Sequence, residues 1–269
     1  MLIFNPAGLF IFDPTWKEKK IVKLFICGIT LLFINLAFLI GSFDSQTKAA
    51  DDRSNCNTFS IVAFDPDTKE WGIAVASKYL AVGSAVPWAK SGIGAVATQS
   101  SVNVLLGNSA LELMAKGKNA KETLDELMKS DEGRDIRQIG IIDKNGMTAN
   151  YTGTKCNPWA GAKVGKNYSC QGNLLAGPQV LDAMAKGFEE AKGSLGVRLL
   201  LSLAEGEKAG GDKRGKQSAA LLVVKPNGGP NALGDRWLDF RVDDHPNPID
   251  ELARIANLTN RFKAVLKSK

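Results

Sequence analysis

Beyond residue 57, the chain alternates short β-branched and apolar runs with longer stretches in which apolar positions recur at helical spacing. The strand-like runs come in pairs joined by turn residues, such as the Asn-Gly pair at 145–146. The predicted strands are 58–64, 71–78, 93–99, 137–143, 147–151, 168–171, 218–225 and 237–242, and the predicted helices are 104–116, 120–129, 178–192, 195–209 and 249–265. Strands grouped as hairpins predict an α+β fold of antiparallel sheets covered by helix pairs, not a doubly wound parallel sheet.

The first fifty residues follow a different pattern. An uncharged, mostly apolar run at 24–41 follows four lysines, Lys17, Lys19, Lys20 and Lys23. Such a run fits either a signal-peptide core or a membrane anchor, and Thr47 and Ala49 suit the −3 and −1 positions of signal peptidase. We favour cleavage. The sequence thus predicts an extracytoplasmic protein, periplasmic or secreted, whose only membrane contact is through residues 1–50.

The remaining chain divides into a polar lead-in at 51–57, expected to be short and flexible, and one domain at 58–269. About 200 residues are enough for a single core. The formal net charge of the whole chain is +6, and its densest basic cluster is interrupted by Asp212 and lacks aromatic neighbours. Since nucleic-acid binding calls for a continuous basic stripe, we expect no nucleic-acid partner. A homo-oligomer stays open.

Three cysteines lie outside the apolar run, namely Cys56, Cys156 and Cys170. An odd number in an exported protein predicts one disulfide and one free thiol. Cys156 with Cys170 is the first candidate pair because the two are near in sequence, and Cys56 could replace either. No cysteine or histidine spacing typical of a metal site is present, so we expect neither a metal nor another cofactor.

Five stretches together are specific: TFSIVAFDPDT, GIAVASKYLAVGSAVPWAKSGIGAVATQS, QGNLLAG, AGGDKRGKQSAALLVV and RVDDHPNP. In this order and spacing the chain resembles the family called domain of unknown function 1028, over residues 58–252. That family is grouped with the N-terminal nucleophile (Ntn) hydrolases. The resemblance therefore implies a four-layer αββα sandwich of antiparallel sheets, and it names a fold better than a reaction.

Ntn hydrolases use the first residue of the mature chain as the nucleophile and its α-amine as the general base. The matching position is Thr58, which begins the first predicted strand, and Ser60 is second because it faces the same side of that strand. A free amine, with a pKa of about 8, requires cleavage between Asn57 and Thr58, by the protein itself or by another protease. Without it, Thr58 is only a β-branched strand residue.

Further candidates lie at strand ends. Ser77 and Lys78 end the second strand, next to the start of the first, where the lysine could lower the pKa of a nucleophile or bind an acidic substrate; a solvated charge is the plain alternative. Asn173 could donate to an oxyanion or merely stabilise a turn.

Two polar clusters complete the candidates. In the glycine-rich segment 210–218, Asp212, Arg214 and Gln217 form either a substrate-binding loop or an internal ion-pair network. Asp243, Asp244 and His245 could contact a substrate or hold a divalent cation. We favour a structural role there, since an aspartate capping the last helix explains much of the pattern.

The leading hypothesis is an exported amidohydrolase that acts on a small amide or peptide, with Thr58 as its nucleophile after processing. The alternative is a non-catalytic ligand-binding or scaffold protein of the same fold, which retention of the lead-in would favour. A third hypothesis is a metal-dependent hydrolase at 243–245.

Overall fold

A computed structural model describes residues 2–4, 10–12 and 55–262, and its chain separates into two compact units, Met1–Arg53 and Ser54–Lys269. In the first unit, strand β1 (Leu2–Phe4) pairs antiparallel with strand β2 (Phe10–Phe12). The apolar run at 24–41 and the proposed signal-peptidase positions lie outside the described residues. Among those described, no helix combines the length and hydropathy that crossing a membrane requires.

The described residues of the second unit form eleven strands and five α-helices. The strands are β3 (Asn55–Cys56), β4 (Thr58–Asp65), β5 (Glu70–Ser77), β6 (Pro87–Lys90), β7 (Gly94–Ser101), β8 (Arg137–Asp143), β9 (Thr148–Thr152), β10 (Gly161–Gly165), β11 (Tyr168–Gly172), β12 (Ser218–Val224) and β13 (Arg236–Val242). The helices are α1 (Leu105–Ala115), α2 (Ala120–Ser130), α3 (Gln179–Glu190), α4 (Leu195–Lys208) and α5 (Pro248–Ala256).

The strands build two sheets, and every pair in them is antiparallel. The first sheet has the order β10-β11-β4-β5-β12-β13 and the second the order β3-β7-β8-β9, with β6 paired to β7. The α+β expectation is confirmed, because the hairpin pattern of the sequence places consecutive strands side by side.

Alternating side chains of β4 enter different cores. Phe59 and Ile61 pack against helices α3 and α4, whereas Val62 and Phe64 face the second sheet. The far face of the second sheet packs Ile139 against α1 and α2. Since β4 is covered on both faces, its sequence is mostly apolar and does not alternate between apolar and polar residues.

Three short strands of the second unit were not predicted from the sequence, namely β3, β6 and β10, and neither were β1 and β2 of the first unit. The final helix ends at Ala256 rather than at 265, and residues 257–262 form turns. The lead-in also differs from the expected flexible segment, since Asn55 and Cys56 pair with β7 and Cys56 is fully buried. These elements are short or polar, so neither length nor periodicity marks them.

The predicted Cys156–Cys170 disulfide is wrong: Cys56, Cys156 and Cys170 are all free thiols. Cys170 lies in the core between the first sheet and its helices, whereas the Cys156 thiol donates to the backbone oxygen of Arg137, which begins β8 of the second sheet. Nearness in sequence does not bring them together, because they are attached to different sheets.

Candidate functional site

The peptide bond between Asn57 and Thr58 is buried where the chain passes from one sheet to the other. Cys56 pairs with Ser100 in the second sheet, and Thr58 pairs with Ser77 in the first. Asn57 is 4% exposed and Thr58 is fully buried. The proposed nucleophile is therefore covered by its own lead-in.

The hydroxyl of Thr58 lies among three polar atoms. Its Oγ1 donates to the backbone oxygen of Cys56 at 2.7 Å and lies 3.2 Å from Ser77 Oγ. The Cys56 sulfur is 3.3 Å away. Burial raises the pKa of the Cys56 thiol to about 12. The thiol therefore stays protonated near neutral pH and does not serve as a base for Thr58.

The backbone oxygen of Asn57 accepts two strong hydrogen bonds. Ser77 Oγ donates to it at 2.5 Å and Arg214 Nη2 at 2.7 Å. One of these donors carries a full positive charge. Donors fixed around a carbonyl oxygen in this way stabilise the negative charge that develops on it when a nucleophile attacks the carbonyl carbon.

Arg214 is held in place by Asp212. Its Nη2 and Nε atoms donate to the two carboxylate oxygens at 2.7 and 3.1 Å. The Asp212 carboxylate also accepts from the backbone N–H of Lys78 at 3.1 Å, and its side chain is only 1% exposed. The preceding Gly210 and Gly211 have φ values of +119° and +49°, a region that favours glycine. The predicted polar segment is thus an ion pair aimed at the Asn57 carbonyl.

The other candidate residues near Thr58 form hydrogen bonds within the protein. Ser60 Oγ donates to Gln99 Oε1 at 2.6 Å and accepts from Gln171 Nε2 at 2.7 Å. Asn173 donates its backbone N–H to the Thr58 carbonyl at 3.0 Å, but its buried Oδ1 has no hydrogen-bond partner among the described residues. Lys78 is exposed, and its backbone N–H donates to the Asp212 carboxylate at 3.1 Å.

The structure places the second polar cluster next to the glycine-rich segment. Gln217 donates to Asp244 Oδ1 at 3.2 Å and its backbone oxygen accepts from the His245 N–H at 2.7 Å. His245 Nδ1 accepts from the N–H of Asn247, and the backbone oxygen of Asp243 accepts from the N–H of Ala81. No group of three or more His, Cys, Asp and Glu side chains suited to a metal is found in the part of the chain that the structure describes.

Sequence reasoning missed a buried amide network beside Thr58. Gln99 Nε2 donates to Gln138 Oε1 at 2.9 Å and to the Thr58 carbonyl at 3.3 Å. Asn173 Nδ2 donates to the same Gln138 oxygen at 2.9 Å, and Gln138 Nε2 donates to the Gly172 carbonyl at 2.8 Å. The signal was a glutamine in each of three strands that the structure buries almost completely, β7, β8 and β11.

Asn157 was missed as well. It lies in the loop after β9, and its Nδ2 donates to Asn57 Oδ1 at 3.0 Å. A cavity of about 70 Å³ is lined by residues that include Ser77, Gly211 and Asp212. A larger cavity of about 430 Å³, lined in part by Trp88 and Lys90, contains none of the candidate residues.

Comparison with known proteins agrees with the resemblance noted in the sequence. Residues 58–252 match the sequence model of a family of unknown function, DUF1028. The crystal structure of a Silicibacter pomeroyi protein assigned to the same family is 30% identical with a TM-score of 0.69, covering 77% of this chain and 91% of that one. No curated protein matches the chain. The chain belongs to the family of unknown function DUF1028.

Proposed function

We propose that the protein is an Ntn-type amidohydrolase of small amides or peptides, activated by cleavage of its own Asn57–Thr58 bond. The observation that carries the proposal is the pair of hydrogen bonds that Ser77 and Arg214 donate to the Asn57 carbonyl oxygen, next to the Thr58 hydroxyl. This arrangement has the components of an acyl-transfer site: a hydroxyl, a carbonyl and two donors for an oxyanion.

The arrangement of the elements supports the same proposal. Helices α3, α4 and α5 pack on one sheet, α1 and α2 pack on the other, and a third core lies between the sheets. This is the order expected of the four-layer αββα sandwich of Ntn hydrolases. The family match also begins at residue 58, the first residue of β4.

Self-cleavage would proceed in two balanced steps. Thr58 Oγ1 attacks the Asn57 carbonyl carbon, the new C–O bond replaces the C–N bond, and the hydroxyl proton passes to the departing nitrogen. Ser77 and Arg214 stabilise the oxyanion that forms. Water then hydrolyses the ester, which leaves a carboxylic acid on Asn57 and restores the Thr58 hydroxyl with a free α-amine.

In the cleaved protein the same groups serve a substrate. The Thr58 amine takes the hydroxyl proton as general base, and the nearby guanidinium of Arg214 disfavours protonation of that amine. Departure of Cys56 and Asn57, both buried, opens the space in front of Thr58. The Thr58 carbonyl stays fixed by Asn173 and Gln99, so the nucleophile keeps its orientation.

The proposed reaction takes place outside the cytoplasm. The lysine-flanked apolar run at 24–41 supports export, with signal peptidase cutting near Ala49 or with the run kept as an anchor. Either route leaves residues 51–57 in front of Thr58, so maturation needs a second cut. The proposed partner is a small amide or peptide substrate, with a homo-oligomer as a further possibility.

The test is the N-terminus of the full chain after expression with export and purification. Intact mass and N-terminal sequencing should give a chain that begins at Thr58. Thr58→Ala should abolish the cut, Thr58→Ser should retain it, and Thr68→Ala, in an exposed turn, should behave as wild type. A wild-type chain that always keeps residues upstream of Thr58 refutes the mechanism.

The buried lead-in favours one competing function. Because Cys56 is fully buried and paired with β7, retention would leave a stable, closed and non-catalytic ligand-binding or scaffold protein. Ligand-dependent thermal stabilisation that Thr58→Ala leaves unchanged, in an uncleaved chain, would support this alternative.

A further inference from the structure

Asn57 marks the place of the substrate's acyl group, if the proposed function holds. The ester formed in self-cleavage joins the Asn57 acyl group to Thr58 Oγ1, and an acyl-enzyme formed from a substrate joins its acyl group to the same oxygen. The two intermediates differ only in the acyl group attached. The residues around the Asn57 side chain in the uncleaved chain are therefore the residues that would contact the acyl side chain of a substrate.

One of these residues presents a hydrogen-bond donor to the Asn57 side chain. Asn157 Nδ2 donates to Asn57 Oδ1 at 3.0 Å, and Asn57 is almost fully buried. The backbone of Asn157, an exposed residue, is fixed, since its carbonyl oxygen accepts from the backbone N–H of Leu174 at 2.8 Å. A donor fixed in this way prefers a side chain that carries a carbonyl oxygen.

Three segments near Asn57 are joined by backbone hydrogen bonds. Leu175 N–H donates to Trp159 O, Ala176 N–H to Gly211 O, and Lys213 N–H to Leu174 O, each at 3.0 Å. The loop after β9, the β11–α3 connection and the glycine-rich segment are thereby joined into one rim. A rim fixed by backbone hydrogen bonds does not move easily to admit a large group, so it favours a short substrate side chain.

Asn173 does not contact the Asn57 side chain through its free oxygen. Its fully buried Oδ1 has no partner among the described residues even though Asn57 brings a carboxamide. Recognition of the side chain therefore depends on Asn157.

We propose that Asn157 selects substrates whose acyl group carries a short side chain with a carbonyl oxygen, as in an N-acylated asparaginyl amide. Thr58 would attack the carbonyl of that residue, release the amine with the hydroxyl proton, and leave an ester that water hydrolyses to the acid. An apolar side chain loses the hydrogen bond from Asn157, an exposed residue whose amide then bonds to water, and we expect this to lower kcat/KM about 2- to 10-fold.

The experiment uses the cleaved full-length protein and four fluorogenic amides, the 7-amido-4-methylcoumarins of N-acetyl-Asn, N-acetyl-Asp, N-acetyl-Ala and N-acetyl-Leu. The asparaginyl amide should exceed the leucyl amide about 2- to 10-fold in kcat/KM. Asn157→Leu should bring that ratio close to one while the leucyl amide is still cleaved. Asn260→Leu, an exposed change, is the control and should leave the ratio intact.

A second readout does not need turnover. N-acetyl-asparagine, the product acid, should raise the Tm of the cleaved protein more than N-acetyl-leucine does, and Asn157→Leu should remove the difference. Thr58-dependent hydrolysis without an asparaginyl preference overturns this inference and leaves the proposed function intact. A cleaved protein that neither hydrolyses an amide nor distinguishes the two acids overturns both, as does a chain that never cleaves.

Discussion

The interface between the two sheets has two unlike halves, built from the same strands. In the apolar half, Val62 and Ile73 of the first sheet pack with Ala97 and Ile142 of the second. Two residues back along β4, Ser60 begins the polar half, where it bonds Gln99 and Gln171. One half is filled by hydrocarbon and the other by an amide network that ends at Thr58.

The difference teaches what each half contributes. A fully buried aliphatic side chain stabilises by about 1.5–3 kcal/mol whatever its detailed orientation. A satisfied buried hydrogen bond contributes only about 1 kcal/mol net, but it requires one geometry and one partner. The apolar half therefore supplies stability, and the polar half supplies the orientation of the Asn57–Thr58 peptide.

Removing the cation at the end of the polar half should have the largest effect. Arg214→Leu leaves the buried Asp212 carboxylate without its partner, so we expect a loss of about 3–5 kcal/mol in unfolding free energy and loss of cleavage. Urea denaturation and intact mass measure the two effects. Arg254→Leu, which removes an exposed ion pair, should cost at most about 1 kcal/mol.

A double variant separates stability from chemistry at the same site. Asp212→Leu with Arg214→Leu removes both charges and should recover much of the lost stability. Cleavage at Asn57–Thr58 should stay absent, since the cationic donor to the Asn57 carbonyl is still missing. Normal cleavage in the double variant would show that Arg214 acts only as a structural residue.

The apolar half should show the reverse pattern. Ile73→Ala removes a fully buried side chain from the inter-sheet core and should cost about 2–4 kcal/mol in unfolding free energy. The first-order rate of cleavage in the folded fraction should stay within about threefold of wild type, a conservative limit given that Ile73 contacts no group of the site. A rate reduced as strongly as in Arg214→Leu would erase the contrast between the halves.

Within the polar half, Gln138 connects the most partners. Gln138→Leu leaves Gln99 Nε2 and Asn173 Nδ2 without their common acceptor, and we expect a cost of about 1–3 kcal/mol. Cleavage should slow measurably, because these two residues hold the Thr58 carbonyl. Gln179→Leu, in an exposed first turn of α3, is the control, and equal effects from both changes would contradict an orienting role for the network.

The sequence was informative wherever the signal was local. The hairpins of β4 with β5 and of β8 with β9 follow from turn chemistry and apolar runs, and the chosen nucleophile position coincides with the start of β4. Contacts such as that of Arg214 with the Asn57 carbonyl join residues 157 positions apart. Periodicity reports which face a residue occupies, but not which distant residue meets it there.

The glutamines illustrate the same limit. Gln99, Gln138 and Gln171 each lie in a buried strand, and a large polar side chain in such a strand is a sign of a buried hydrogen bond. That sign does not identify the partner. The disulfide prediction failed for the same reason, since sequence distance cannot show that Cys156 and Cys170 are attached to different sheets.

Cys56 lies at the boundary between the halves and gives the smallest expected effect. Its side chain belongs to the apolar core, yet its sulfur touches the Thr58 hydroxyl. Burial, the largest cause, raises the pKa of this thiol from 9.0 to about 12. The folded chain thus holds the thiol proton more tightly than the unfolded chain. This contribution is independent of pH below about 9, and the unfolding free energy falls as pH rises from 9 towards 12.

At pH 10 the predicted loss from this one group is about 1 kcal/mol relative to pH 8. Thr58→Ala, which keeps Cys56 in the chain, provides the background in which urea denaturation is measured at both pH values. Adding Cys56→Ser should reduce the pH-dependent loss by that amount, because a serine hydroxyl does not titrate in this range. If the pH-dependent loss of unfolding free energy is unchanged, the Cys56 thiol is exposed to water, and the boundary between the two halves lies elsewhere. A reduced loss would show that the hydrocarbon half of the interface reaches as far as the residue before Asn57.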